Sequence, residues 1–188
     1  MKLSELTSRY DIGKVLNAMG LTGRGVEVGV AFGEYAEIIL RTSSLSRLTL
    51  VDPWDYVPYE NPKGFGDAIK DFEGCYRYCI QKVAPFIGRV AIDRTTSVIA
   101  ASDTPDGWLD FCFIDANHMR PMIDRDLKAW WPKMKVGGIF GGHDYHMVAT
   151  PVYTCQVKAA VDQFFAGKPY QVHVTNEPGD APSWFVIK

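Results

Sequence analysis

A chain of 188 residues, 47% hydrophobic and 22% charged, is long enough to bury its own core and has the composition of a globular domain. A formal net charge of −2 offers no broad cationic surface, so nucleic acid is not an expected partner. No apolar run approaches the roughly 20 residues of a membrane span, and Met1-Lys2-Leu3-Ser4-Glu5-Leu6 lacks the apolar centre of a signal peptide, so the expected setting is cytoplasmic and off the membrane.

Ser4 to Met19 reads as one or two short helices, with Ile12, Val15, Leu16 and Met19 at helical spacing and Gly20 and Gly23 as stops. Residues 1–23 are expected to form a helical cover at one end of the sheet that follows. That sheet begins in Gly25–Gly33, where Val26, Val28 and Val30 mark a buried parallel strand. Gly29 and Gly33 permit a tight turn and a close approach by a ligand, and Glu34–Arg41 reads as a helix. A strand–glycine turn–helix presents free backbone N–H groups at the mouth of the sheet, where doubly wound folds bind nucleotides. Leu48–Asp52 is the next strand and ends in a carboxylate able to accept from both ribose hydroxyls. The dinucleotide fingerprint G-x-G-x-x-G does not fit, because from Gly29 its second and third glycines would be Ala31 and Glu34.

Residues 53–66 are rich in proline, glycine and aromatics, which excludes a regular helix and argues against disorder. Directly after Asp52, the loop is expected to be a flap over a ligand, with Trp54, Tyr56, Tyr59 and Phe65 as an apolar wall. Asp67–Phe86 reads as a long helix, with Cys75 and Cys79 on one face. No C-x-x-C pair occurs, so these two and Cys112 and Cys155 are expected to be buried free thiols rather than a zinc site. Gly88–Asp93 is the third strand, and Thr95, Thr96 and Ser97 cap the helix after it. Leu109–Asp115 is the fourth strand, Pro121–Trp131 a helix with a core tryptophan, Val136–Asp144 the fifth strand and Val152–Ala166 a helix. Tyr170–Thr175 and Ser183–Lys188 read as a closing antiparallel hairpin. Alternating strands and helices, with no internal repeat, give a single α/β domain, doubly wound, with one antiparallel strand.

Three strands end in acids, Asp52, Asp115 and Asp144, and in a parallel sheet these ends share one rim. With Asp52 assigned to ribose, Asp115 and Asp144 fall on neighbouring strands beside His118 and His143. Two carboxylates with imidazole suit a divalent cation: Mg²⁺, Ca²⁺ or Mn²⁺ on the oxygens, or a softer ion through the nitrogens.

Glu27-x-Gly29-x-Ala31-x-Gly33 resembles motif I of the class I S-adenosylmethionine-dependent methyltransferases, with alanine in the middle glycine position. Asp110-Phe111-x-Phe113-Ile114-Asp115-x-x-His118, Asp126-Leu127-x-x-Trp130 and Gly137-Gly138-x-x-x-Gly142-His143-Asp144-Tyr145 are similar to the type-24 methyltransferase domain, and the resemblance spans residues 24 to 166. It implies a Rossmann-like methyltransferase fold with a mostly parallel seven-stranded sheet and the C-terminal hairpin. It implies S-adenosylmethionine held by Glu27, Gly29, Ala31, Gly33, Asp52 and Asp115, with Thr96 and Ser97 beside the adenine. Related metal-dependent O-methyltransferases put a cation on acids at these two strand ends. Here the ligands would be Asp115 and Asp144, with His143 or His118 as the third, and Tyr145 stands where a further acid or amide often follows.

The expected reaction is an in-line transfer of the sulfonium methyl to a small hydroxylated acceptor, sugar or phenol. Asp115 would ligate a cation such as Mg²⁺, and His118 or His143 would be general base. A nucleoside-binding domain without catalysis is the alternative, and an NAD-linked oxidoreductase is disfavoured by Ala31 and Glu34. No long insertion builds a deep private pocket, which leaves room for a homodimer contributing walls.

Overall fold

The computed structural model describes residues 1–55, 71–150 and 153–188. Its strands in chain order are β1 (Arg24–Val28), β2 (Arg47–Val51), β3 (Val90–Asp93), β4 (Leu109–Ile114), β5 (Met134–Gly142), β6 (Val148–Ala149), β7 (Thr154–Cys155), β8 (His173–Val174) and β9 (Trp184–Ile187). Among the described residues, seven strands join in the order β3-β2-β1-β4-β5-β9-β8, and β6 and β7 form a separate antiparallel pair. β1 to β5 run parallel, β9 runs against β5, and β8 pairs antiparallel with β9. The order reverses direction between β1 and β4, and ligand crevices in open α/β sheets form at such a switch point.

Helices α1 (Ile12–Ala18), α2 (Glu34–Thr42) and α3 (Phe72–Val83) cover one face; α4 (Ser97–Asp103), α5 (Met122–Trp130) and α6 (Val157–Phe165) cover the other. The alternation of side chains along β4 divides the core. Phe111 and Phe113 pack with Ile12, Leu16 and Ile39, while Cys112 and Ile114 pack with Leu127, Trp130 and Val161. All six β4 residues are buried, as a central strand covered on both faces requires.

The expected elements form, with displaced boundaries. β1 stops at Val28, because Gly29 takes φ +82° and turns the chain before Val30. The N-terminal helix is interrupted: 3-10 turns at Leu3–Glu5 and Arg9–Asp11 precede α1. α3 begins at Phe72, where the Asp71 carboxylate accepts from Gly74 N–H at 2.7 Å and caps it; the expected start at Asp67 lies outside the described residues. Pro121 precedes α5 after a cis Arg120–Pro121 bond. α6 begins at Val157 rather than Val152, because Thr154 and Cys155 pair with β6. No helix among the described residues is long and apolar enough to cross a membrane.

Candidate active site at the carboxyl rim of the sheet

The turn after β1 is shaped by close packing. A Cβ on Gly29 would lie 2.1 Å from the carbonyl oxygen of Asp115, so only glycine fits there. Ala31 also holds a left-handed backbone, at φ +47°. The Asp52 carboxylate ties this turn down. Its Oδ2 accepts from Val30 N–H at 2.9 Å and Ala31 N–H at 3.0 Å, and its Oδ1 from Trp54 N–H at 2.7 Å. A carboxylate has about four acceptor positions, so one remains for a ligand. Trp54 is buried, donates its indole N–H to Ala31 C=O at 2.8 Å and leans on Tyr76; it closes the turn. Tyr56, Tyr59 and Phe65 of the expected flap lie outside the described residues.

Glu27, inside β1, is 2% exposed, and its Oε2 has no hydrogen-bond partner among the described residues. Burial pushes its pKa well above the usual range; Asp115 adds to this and Arg9 opposes it. At the start of α4, Thr96 makes no side-chain cap bond. The Ser97 hydroxyl donates to Asp126 at 2.5 Å and accepts from the Trp130 indole at 2.9 Å, so its side chain is committed to joining α4 and α5 rather than free for adenine.

At the ends of β4 and β5 the expected acids and histidines converge. His118 Nε2 lies 3.2 Å from Asp115 and 3.3 Å from Asp144, while its Nδ1 faces the Tyr153 hydroxyl at 3.0 Å. His143 Nδ1 lies 3.1 Å from Asp144 and 3.8 Å from Asp115. Burial works against both imidazolium ions. Their carboxylate partners outweigh it, Asp115 first for His118 and Asp144 first for His143, and both pKa values rise. Burial would also raise the Asp144 pKa, but the His143 hydrogen bond and the neighbouring imidazoles lower it on balance. The centre is built to hold positive charge between two carboxylates.

Five residues at this centre were not assigned to it from the sequence, Cys155 having been read only as a buried thiol. Arg9 reaches from the N-terminal segment to within 3.9 Å of Asp115 and pairs with Asp180 at 2.9 Å. Asp180 comes from the β8–β9 connection and stands 3.6 Å from His143 Nε2. His146 Nε2 lies 3.5 Å from Asp144, Tyr153 orients His118, and Cys155 Sγ lies near the Asp144 and His146 carbonyls. All five sit in irregular or very short elements, where periodicity carries no placement signal; the density of His and Asp over 143–146 was the one available cue. Tyr145 turns away and donates its hydroxyl to Asp162 on α6.

A divalent cation fits this donor set. Ligand atoms of Asp115, His143 and Asp144 lie within 4.8 Å of one another, as do those of His118, Asp144 and Cys155. The fold thus brings a thiol to a site where sequence spacing showed none. Burial raises the Cys155 pKa. His143 Nε2, buried and without a hydrogen bond among the described residues, faces Asp180 as a metal-bound imidazole faces an outer carboxylate.

No curated protein matches the sequence. Among solved structures, the O-methyltransferase TomG from Streptomyces achromogenes, in complex with S-adenosylmethionine, superposes with a TM-score of 0.65 at 14% identity, over 95% of this chain and 78% of that one. The Bacillus cereus O-methyltransferase in complex with S-adenosylhomocysteine gives 0.61 at 14% identity, over 96% and 80%. An rRNA methylase from Streptococcus thermophilus gives 0.60 at 11%, over 95% and 96%. At such identities these likenesses show the fold, and their different acceptors show that the fold does not set the substrate. The model of a methyltransferase domain family matches residues 26–145, more than half of the chain, from within β1 to just past the end of β5. The chain belongs to that type-24 methyltransferase domain family, among the class I S-adenosylmethionine-dependent methyltransferases.

Proposed function

We propose that this methyltransferase acts on a hydroxyl oxygen of a small acceptor, a sugar or a phenol, at the rim formed by Asp115, His118, His143 and Asp144. The observation that carries the reading is the position of His118 Nε2, within 3.3 Å of carboxylates on two adjacent strand ends and beside the glycine turn. The turn, Asp52 through its remaining acceptor position, and Glu27 bind the cofactor. The aromatics that follow Asp52 in the sequence favour a ring-bearing acceptor. Asp115, Asp144 and His143 would hold a divalent cation, which when bound would lower the pKa of the acceptor hydroxyl and orient it.

His118 is the base. Its Nδ1 lies 3.0 Å from the Tyr153 hydroxyl and its Nε2 faces the two carboxylates; the Nδ1–H tautomer, with Nε2 unprotonated, is the form that takes the proton. The acceptor oxygen gives its proton to Nε2 and attacks the methyl carbon in line. The carbon–sulfur bond breaks with its electron pair on sulfur, leaving S-adenosylhomocysteine. Asp115 and Asp144 then stabilise the imidazolium.

Calorimetry of S-adenosylmethionine binding tests the reading, in wild type, Asp52→Ala and Asp115→Ala, each with EDTA and with Mg²⁺. Asp52→Ala removes three backbone hydrogen bonds as well as the ribose acceptor, and an affinity loss of roughly 100-fold or more is expected. A Mg²⁺ effect present in wild type and lost in Asp115→Ala supports the cation. No binding to wild type in any condition sinks the assignment.

A further inference from the structure

We propose that Cys155, His118 and Asp144 form a binding site for a thiophilic divalent cation of the Zn²⁺ class, separate in its donor set from Asp115, His143 and Asp144. The site rests on the geometry of the rim and not on the acceptor reading. Cys155, Tyr153 and His146 all lie beyond the matched span 26–145.

An imidazole nitrogen of His118, a carboxylate oxygen of Asp144 and Cys155 Sγ lie within 4.8 Å of one another. Donors of a tetrahedral zinc ion stand about 3.3–3.8 Å apart, from bonds of about 2.0–2.3 Å. His118 Nε2 and Asp144 Oδ2 already stand at 3.3 Å. The fold carries the thiol to them. Cys155 pairs with Val148 in the β6–β7 ladder, and the next residue, Gln156, donates its N–H to His118 C=O at 2.8 Å. Cys155 is fully buried, with Sγ 3.4 Å from the Asp144 carbonyl oxygen. Tyr153 sets its hydroxyl 3.0 Å from His118 Nδ1. Imidazole and sulfur are thus held together before any ion arrives. His146 is an independent sign. Its Nε2 is buried, 3.5 Å from Asp144 Oδ1, and has no hydrogen-bond partner among the described residues. A buried imidazole nitrogen left idle beside a shared carboxylate is a spare donor for a cation.

The donor chemistry sets the class of ion. Asp115, His143 and Asp144 offer two carboxylates and one nitrogen, a set that suits a hard cation. Cys155, His118 and Asp144 offer sulfur, nitrogen and oxygen, and the sulfur selects zinc over magnesium. The filled d shell of zinc imposes no geometry, so an irregular set from a loop, a strand end and a short hairpin can serve. On binding, the Cys155 S–H bond gives its proton to solvent and a sulfur lone pair bonds the ion. An ion there also takes up His118 and so competes with its service as base; that consequence alone rests on the proposed function.

Cobalt is the probe, because a Co²⁺–thiolate bond gives a near-ultraviolet charge-transfer band. The full chain, metal-free and with its thiols reduced, is titrated with Co²⁺ and then with Zn²⁺ or Mg²⁺. Wild type is expected to show the band, to lose it on adding equimolar Zn²⁺ and to keep it in excess Mg²⁺. Cys155→Ser, which nearly preserves volume, should abolish the band and weaken Zn²⁺ binding by roughly 100-fold or more, beyond the loss of an outer partner. His118→Asn should weaken the band and Zn²⁺ binding likewise, and His143→Ala should leave both nearly unchanged. Absence of the band in wild type overturns the site without any variant. A band that survives Cys155→Ser overturns it, since another thiol would be the ligand. A band kept in His118→Asn and lost in His143→Ala also overturns it, since the ion would sit on the other donor set. Should Cys155→Ser fail to fold, the two histidine variants decide. None of these outcomes bears on S-adenosylmethionine binding, which is measured separately.

Discussion

Ala31 occupies the middle of the glycine turn with φ +47°, where a Cβ costs about 1–2 kcal/mol. The strain persists because both sides of the residue are fixed: its N–H is held by Asp52 and its C=O by the Trp54 indole. Ala31→Gly should release the strain and give back part of it as unfolded-chain entropy, for a net gain of about 0.5–1 kcal/mol. In a chain of this length that is a rise in Tm of about 1–4 °C by scanning calorimetry. A Tm that stays level or falls would mean that the Ala31 methyl, packed against the core, offsets its backbone cost. Gly29 allows no such exchange, since the Asp115 carbonyl stands where its Cβ would be. Gly29 was legible in the sequence from its residue type and place after a strand. The double use of Asp52 was not, because a carboxylate at a strand end says nothing about which N–H groups fold back onto it.

At the scale of elements, α4 and α5 are joined by one polar chain inside an apolar layer: the Trp130 indole donates to Ser97, and Ser97 donates to Asp126. Asp126 and Trp130 belong to the motif that resembled the family, and the structure gives both a packing reason. Burial raises the Asp126 pKa from 3.8 to about 6, while the Ser97 hydroxyl opposes the rise. Below pH 3.8 the carboxyl is neutral in both states and its contribution to stability is complete. Between about pH 4 and 6 the unfolded chain ionises first, and stability is lost, up to about 3 kcal/mol at 1.36 kcal/mol per pH unit. Asp126→Asn keeps the acceptor for Ser97 and cannot ionise. Urea unfolding should find it close to wild type at pH 4 and more stable by up to about 3 kcal/mol at pH 7; a difference that does not change with pH would show that Asp126 stays ionised in the fold. The strands and helices around this clamp were readable because burial imposes a period of two or 3.6 on the side chains. The rim acids were readable for the same reason, since each ends a recognisable strand. Arg9, Tyr153 and Asp180 were not, because they sit on turns whose position depends on what they pack against.

Across the whole molecule, the two ends of the chain meet over the rim. Asn176 N–H donates to Thr7 C=O at 3.0 Å, His173 Nε2 lies 2.5 Å from the Leu6 carbonyl, and Arg9 pairs with Asp180. Glu177 is the pivot: it is buried, Oε1 accepts from Arg9 N–H at 2.6 Å, and Oε2 accepts from the Thr175 hydroxyl at 2.5 Å and Ser183 N–H at 3.3 Å. The same connection carries Asp180 to His143, so one turn positions both the N-terminal segment and an imidazole of the reactive centre. Glu177→Ala would strip partners from donors in both segments, at a cost of about 2–4 kcal/mol for bonds to a buried charged acceptor. Hydrogen exchange should then show the amides of Arg9 and Asn176 losing protection together, while β4 amides lose protection only by the global change in stability. Loss of protection confined to the 176–180 turn, with Arg9 unchanged, would mean that the N-terminal segment is held by its own packing on α2. The coupled result would make the β8–β9 connection the element that holds the N-terminal segment, and with it Arg9, beside Asp115.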